Sequence, residues 1–421
     1  MPEAFKWPRP TPKPEAVELS DEDIISIENP KENIFETLRG KPENTNEEIP
    51  VAFEEEKEPG KFQEANVHEA FSILGFEKRG LEVSATIEKK PDRLKDKSRN
   101  EDNIIADSET GLIGVLDGLG GMGHGDLASK MAEETIPEAY KETLAANKGK
   151  GQAELIKNLV ESQLNRVSIS SPEAAVQKRK DMTEKIEGIA GVDTEMARKA
   201  LSLVEAFTKV SADIKGTKGM TTACTGFVHT GPDGKRWAVV ANTGDSGAFI
   251  KRANGSAEKL TQEDSMSSLL LESGATDQAT LDQMKKEPDK FFEIPLTYEI
   301  VKAGGGTKAD YEKFKARNQI LPITYKKLKK MMPAALGGAI PEPSLEYVEL
   351  KPGDELILGT DGLLDMFENP DTDDLDTKEL GAAADGGSFN QQLDKLRSEA
   401  KKRETNYKTD DDIAILGVKI K

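Results

Sequence analysis

The chain has 421 residues, with 58 Lys and Arg against 77 Asp and Glu, a formal charge of −19, 36% hydrophobic residues and 5% aromatic ones. That length fits one domain with a terminal extension, or two domains. So negative a chain argues against nucleic acid and anionic membrane surfaces as partners, since both are bound through clustered Lys and Arg, and the single cysteine, Cys224, excludes a disulfide framework and any multi-thiolate metal site.

Residues 1–70 hold 18 acidic and 8 basic side chains, and nine of the 21 prolines precede residue 60. Such a segment buries too little apolar surface to offset its ordering entropy, so residues 1–78 read as a flexible acidic arm. Within it Glu69 to Phe76 is briefly apolar, and reads as a strap packed on the domain or as a partner-docking motif. The start lacks the basic and apolar regions of a signal peptide, and no stretch approaches the roughly 18 apolar residues of a membrane span. The chain is therefore expected to be soluble and cytoplasmic.

The folded domain is expected over 79–421. Leu81 to Ile87 alternates as a half-buried strand, and Leu112 to Leu116 is a short apolar strand. Asp126 to Asn147, Ala153 to Val167 and Glu195 to Ile214 read as amphipathic helices, with Leu201, Val204, Phe207 and Val210 on one stripe. Thr222 to His229 and Lys235 to Asn242, joined by Gly231-Pro-Asp-Gly234, read as antiparallel neighbours because the loop is too short for a crossover. Ala248 to Lys251 is expected to continue that meander. Residues 265–335 read as mostly helical and lysine-rich, and Leu345 to Leu350, Glu355 to Leu358 and Ile413 to Ile420 return to strand character. Cys224, inside an apolar run, reads as buried and inert.

Gly118, Gly120 and Gly123 satisfy GxGxxG between a strand and a helix, but no second strand ending in an acid follows, so a dinucleotide site is disfavoured. No Gly-Lys-Ser/Thr closes a phosphate loop. Asp371, Asp373 and Asp374 lack the glycine and ligand spacing of an EF-hand.

The recurrent feature is an aspartate at the end of an apolar strand. Asp117 follows Ile113 to Leu116, Asp245 follows Val239 to Gly244, Asp361 follows Leu356 to Thr360, and Asp410-Asp-Asp412 directly precedes Ile413. Two of these are Asp-Gly, where glycine permits a sharp turn and exposes a carbonyl. Carboxylates gathered on one rim repel one another unless cations neutralise them. Oxygen ligands alone, with histidines only at 68, 124 and 229, point to Mg²⁺ or Mn²⁺ rather than zinc.

In that order these motifs resemble the metal-dependent PPM-type (type 2C) Ser/Thr protein phosphatases, bacterial members above all. The resemblance spans roughly Leu81 to Ile420: Asn100-Glu-Asp102, Val115-Leu-Asp-Gly-Leu-Gly-Gly121, Gly219-Met-Thr-Thr-Ala223, Ala241-Asn-Thr-Gly-Asp-Ser246, Leu260-Thr261, Ala335-Leu-Gly337, Leu358 to Asp365 and Asp411-Asp-Ile413. It implies an α+β fold, a central antiparallel β-sandwich flanked by antiparallel helix pairs, with metals at one end. By position, Asp117 would bridge two ions, the Gly118 carbonyl would join one, and Asp361 and Asp411 would hold the other. Glu101 and Asp102 would act through metal-bound waters, and Asp245 and Asp365 would serve a third, weaker ion. A metal-bridging hydroxide would then attack the phosphorus of phosphoserine or phosphothreonine in a protein substrate.

Three departures accompany the resemblance. The family's phosphate-gripping arginine is Lys97 here, with Arg99 two residues on, and a lysine lacks the bidentate fork. Leu119 stands where eukaryotic members carry histidine, while His124 reads as structural or solvent-facing. Thr261-Gln-Glu-Asp264 replaces the usual Asp-His, and the following flap, 265–335, is long. Substrate choice is expected there and in a helical insertion at 148–192. The competing readings are a pseudophosphatase that recruits a partner through the acidic arm, and a hydrolase of small phosphate esters.

Overall fold

The computed structural model describes residues 73–88, 100–119, 124–166, 172–303, 308–315, 320–329, 334–369, 375–407 and 411–421. Helix α1 (Ile73–Glu77) leads into strands β1 (Leu81–Glu88), β2 (Asp102–Asp107) and β3 (Leu112–Asp117). Four helices follow, α2 (Gly125–Ala146), α3 (Gln152–Asn165), α4 (Pro172–Val192) and α5 (Thr194–Lys215). Strands β4 (Ala223–Thr230), β5 (Arg236–Thr243), β6 (Gly247–Lys251) and β7 (Ala257–Lys259) come next. The long segment after them holds α6 (Met266–Glu272), α7 (Gln278–Lys286), β8 (Phe291–Pro295), α8 (Tyr298–Ala303), α9 (Lys308–Lys315), β9 (Ile320–Thr324) and α10 (Tyr325–Lys329). The chain closes with β10 (Ser344–Leu350), β11 (Glu355–Gly359), α11 (Asp361–Leu364), α12 (Thr377–Ala383), α13 (Phe389–Tyr407) and β12 (Ile413–Ile420).

Two five-stranded sheets, ordered β1-β12-β11-β6-β7 and β10-β5-β4-β3-β2, form the centre. Every neighbouring pair in them is antiparallel. Strand β3 shows why the layers stack. Its Ile113 and Val115 lie in the core between the sheets with Cys224, Val240, Leu356 and Leu416, while Leu112 and Leu116 alternate outward against Ile136, Leu201 and Phe207 of the helices. The outer face of the other sheet, at Phe249, Ile357 and Ile415, is covered by Leu380 of α12 and Phe389, Leu393 and Leu396 of α13. Layers therefore run helix, sheet, sheet, helix, the architecture expected from the sequence.

Several expectations change in detail. Strand β6 does not extend the β4-β5 meander: it pairs with β11 in the opposite sheet, Ala248 facing Leu358, so residues 244–246 cross the sandwich. Residues 265–335 are less uniformly helical than their composition suggests, because β8 and β9 pair as a separate hairpin. Phe76 is 1% exposed in the core between the sheets, so packed structure already exists before residue 79. Cys224 is fully buried, and burial pushes its thiol up. No helix among the described residues is long and apolar enough to cross a membrane.

Candidate metal centre

Strand ends from both sheets meet at one rim. Asp117 closes β3 and stands opposite Asp102 at the start of β2. Asp245 lies in the crossover from β5 to β6, Asp361 begins α11 just past β11, and Asp411 precedes β12. Asp117, Asp245 and Asp361 each bring a carboxylate oxygen within 4.8 Å of the other two. Cross-links between the sheets hold this edge: the Thr360 hydroxyl donates to Asp102 Oδ2 at 2.8 Å, and the Glu101 N–H donates to Asp412 Oδ2 at 2.9 Å. The Gly118 N–H donates to the Glu101 carbonyl at 2.9 Å, and Thr222 and Ser246 share a hydroxyl contact of 2.6 Å.

Electrostatically the rim is strained. Burial, then Asp361, holds the Asp102 carboxyl well above the usual carboxylate range, against the Thr360 hydrogen bond. Burial, then Asp102 and Asp245, does the same to Asp117, and burial, then Asp117 and Asp245, to Asp361. Asp245 is pushed up to about 6, by burial first and then by Glu263 and Asp411. Its Oδ1 is buried with no hydrogen-bond partner. An oxygen-only donor set with mutual repulsion and an unsatisfied buried ligand atom fits hard divalent cations, which would replace the missing positive charge.

The sequence matches the family model described as Protein phosphatase 2C over residues 91–396. The chain belongs to the protein phosphatase 2C family. Similar solved structures include PppA, a key regulatory component of T6SS in Pseudomonas aeruginosa, at 14% identity and TM-score 0.43, covering 80% of this chain and 97% of that one. The PPM Ser-Thr phosphatase MsPP from Mycobacterium smegmatis is 15% identical with TM-score 0.41, covering 80% and 98%. The S. agalactiae serine/threonine phosphatase is 18% identical with TM-score 0.40, covering 81% and 100%. No curated protein matches the sequence.

In this phosphatase 2C chain, seven of the sequence-predicted positions, Glu101, Asp102, Asp117, Gly118, Asp245, Asp361 and Asp411, lie on the described rim. Asp365 is exposed at its outer edge. Crowding by protein, then Glu368 and Asp245, displaces its carboxyl upward while Lys329 opposes, and solvent there screens the effect. Lys97 and Arg99 lie outside the described residues, as do residues 1–72, Gly120 to Gly123 and the Asp371 to Asp374 run. His124 is exposed and makes no side-chain cap at the start of α2.

The sequence assigns no role to Thr360, Asp412 or Glu404. Thr360 lies within the Leu358 to Asp365 motif, but nothing local says that its hydroxyl reaches Asp102 across 258 positions. Asp412 supports the Glu101 segment beside Asp411. Glu404, 1% exposed on α13, accepts from the Asp411 N–H at 2.9 Å and so braces a candidate ligand.

Proposed function

We propose that this chain is a protein phosphatase that hydrolyses phosphoserine and phosphothreonine in protein substrates and depends on Mn²⁺ or Mg²⁺. The observation that carries this reading is the convergence of Asp117, Asp245 and Asp361 oxygens within 4.8 Å, in a chain of this family. Two ions would be held by Asp117, the Gly118 carbonyl, Asp361 and Asp411, with Glu101 and Asp102 acting through water, and a third, weaker ion by Asp245 and Asp365. When bound, divalent cations supply Lewis acidity, drawing charge from phosphoryl oxygens and making water acidic enough to act as a nucleophile near neutral pH.

The protein's own part is to hold these oxygens in a fixed frame. Thr360 orients Asp102, the Glu404 carboxylate accepts from the backbone of Asp411, and the Thr222 hydroxyl accepts from the Asp117 N–H at 3.2 Å. The phosphate would be gripped by Lys97 or Arg99, and the segment 265–335 would select the phosphoprotein.

The test is hydrolysis of p-nitrophenyl phosphate and of a phosphothreonine peptide after EDTA treatment, with and without added Mn²⁺. Both should be turned over only with metal, and Asp117→Asn should lower kcat by at least about a hundredfold. Undiminished turnover in EDTA, or none under any condition, would overturn the reading. Turnover of the small ester alone would replace the protein substrate by a small phosphate ester.

A further inference from the structure

Asp264 occupies the place where the sequence departs from the family's Asp-His after Leu-Thr, and the structure gives that departure a role. Asp264 is 3% exposed and ion-paired with Arg166, itself 6% exposed, at the C-terminal end of α3. The same guanidinium reaches Glu272 Oε2 at 2.9 Å and donates from Nε to the Glu342 carbonyl at 3.2 Å. Lys178 of α4 donates to the other oxygen of Glu272 at 2.9 Å. Helices α3 and α4 are thus joined, through one ionic group that is buried at Arg166 and Asp264 and half-buried at Glu272, to both ends of α6, since Asp264 precedes that helix and Glu272 ends it.

The group reaches the rim through the backbone. The Asp264 N–H donates to the Gly244 carbonyl at 2.8 Å, which the Asn242 amide also contacts at 3.2 Å. Gly244 has φ +102°, and a Cβ there would lie 2.6 Å from Thr222. Its backbone therefore has little freedom, and the next residue is Asp245, whose Oδ1 is buried without a hydrogen-bond partner and which brings a carboxylate oxygen within 4.8 Å of those of Asp117 and Asp361. A residue whose carbonyl is held from outside passes that constraint to its neighbour's carboxylate.

We propose that Arg166 is a positioning residue for the candidate metal centre: by clamping Asp264 it fixes the Gly244 turn and so aims the Asp245 carboxylate. The proposal rests on the metal reading given above. Arg166 makes no contact with substrate or ion in this role. It acts at a distance in sequence of 98 positions from its partner, which ties a helical segment peculiar to this stretch of chain to the geometry of the rim.

The measurements are calorimetric titration of Mn²⁺ into the metal-free full chain, and hydrogen exchange of the amides at 243–246. Arg166→Met leaves Asp264 buried and unpaired and is prone to unfolding, so the deciding variant is Arg166→Met combined with Asp264→Asn, which buries no lone charge. Leu81→Ala in β1 controls for general loosening of the sandwich. The double variant should weaken the lowest-affinity Mn²⁺ step by about tenfold, the scale expected for support of a ligand from outside the coordination shell, and speed exchange at 243–246. The control should retain the parent affinity. A double variant with an Mn²⁺ affinity within about twofold of the parent, whatever its exchange, would overturn the proposal. Should the parent itself take up no Mn²⁺, the functional reading falls, and exchange alone judges the clamp, with unchanged exchange at 243–246 overturning it.

Discussion

At the scale of single residues, the two Asp-Gly pairs show how a motif can be recognised for one reason and kept for another. The sequence suggests glycine for a sharp turn, yet neither Gly118 nor Gly362 is among the glycines with positive φ. A Cβ on Gly362 would instead lie 2.1 Å from the Asp412 carbonyl oxygen, and one on Gly118 would lie 2.2 Å from that of Gly125. Backbones from different elements touch there, and only hydrogen leaves room. Gly362→Ala should therefore cost about 3 kcal/mol in urea unfolding and displace Asp361 enough to abolish turnover. Gly191→Ala, with open space around it near the end of α4, should instead gain about 0.5 kcal/mol. Equal effects of the two changes would contradict the close-approach account. The carboxylates carry a second consequence. Because burial, Asp117 and Asp245 disfavour the charge on Asp361, Asp361→Asn should raise the melting temperature in EDTA by about 2 °C, on the order of 1 kcal/mol for a chain of this size, while removing the stabilisation by Mn²⁺. A lower melting temperature in EDTA would show that the charge is compensated by something other than metal.

Among the elements, the shortest described helix of the N-terminal side does more than its length suggests. Phe76 of α1 is 1% exposed and packs with Leu81, Val115 and Ile420 between the sheets. Phe76→Ala should cost about 3–4 kcal/mol. Deleting residues 1–60, which offer little apolar surface, should leave melting temperature and peptide turnover near those of the full chain. A large loss from the deletion would show that the acidic segment contributes to the folded domain. Helix α13 is the element least visible beforehand. Its buried Phe389, Leu393, Leu396 and Ala400 recur at the four-three-four spacing of an amphipathic stripe, a signal the sequence reading passes over among the helix's many charged residues, and the structure supplies the sheet face that the stripe covers. Strand β6 was visible as a strand but not in its place, because an apolar pentapeptide states its period and not its partner.

For the molecule as a whole, the acidic rim is a place where two sheets are brought together against their own charge. The sign of the pH dependence follows. Carboxyls whose folded pKa is raised bind protons more readily in the folded state, so the metal-free chain gains stability as pH falls through their folded values and loses it as pH rises. Asp245 places part of that window at about 6, and Asp102, Asp117 and Asp361 extend it upward. In the proposed metal-bound state, divalent cations would take the place of those protons. The rise in melting temperature on adding saturating Mn²⁺ should accordingly be larger at pH 8 than at pH 5.5. A shift independent of pH would mean that the ions bind elsewhere.

The sequence by itself determined the layered α+β architecture, the antiparallel β4-β5 pair, the buried state of Cys224 and the identity of the acidic strand ends. Each of these is written in local terms: alternation along β1, a short Gly-Pro-Asp-Gly loop, an aspartate closing an apolar run, and motifs in a recognisable order. Only the tertiary structure decided that β6 lies across the sandwich from β5, that Phe76 belongs to the core, and that Thr360 serves Asp102. It alone paired Arg166 with Asp264. These are contacts between distant segments, settled by which apolar faces cover one another and by which buried charges find partners, and neither periodicity nor turn chemistry encodes the partner of a side chain in a distant part of the chain.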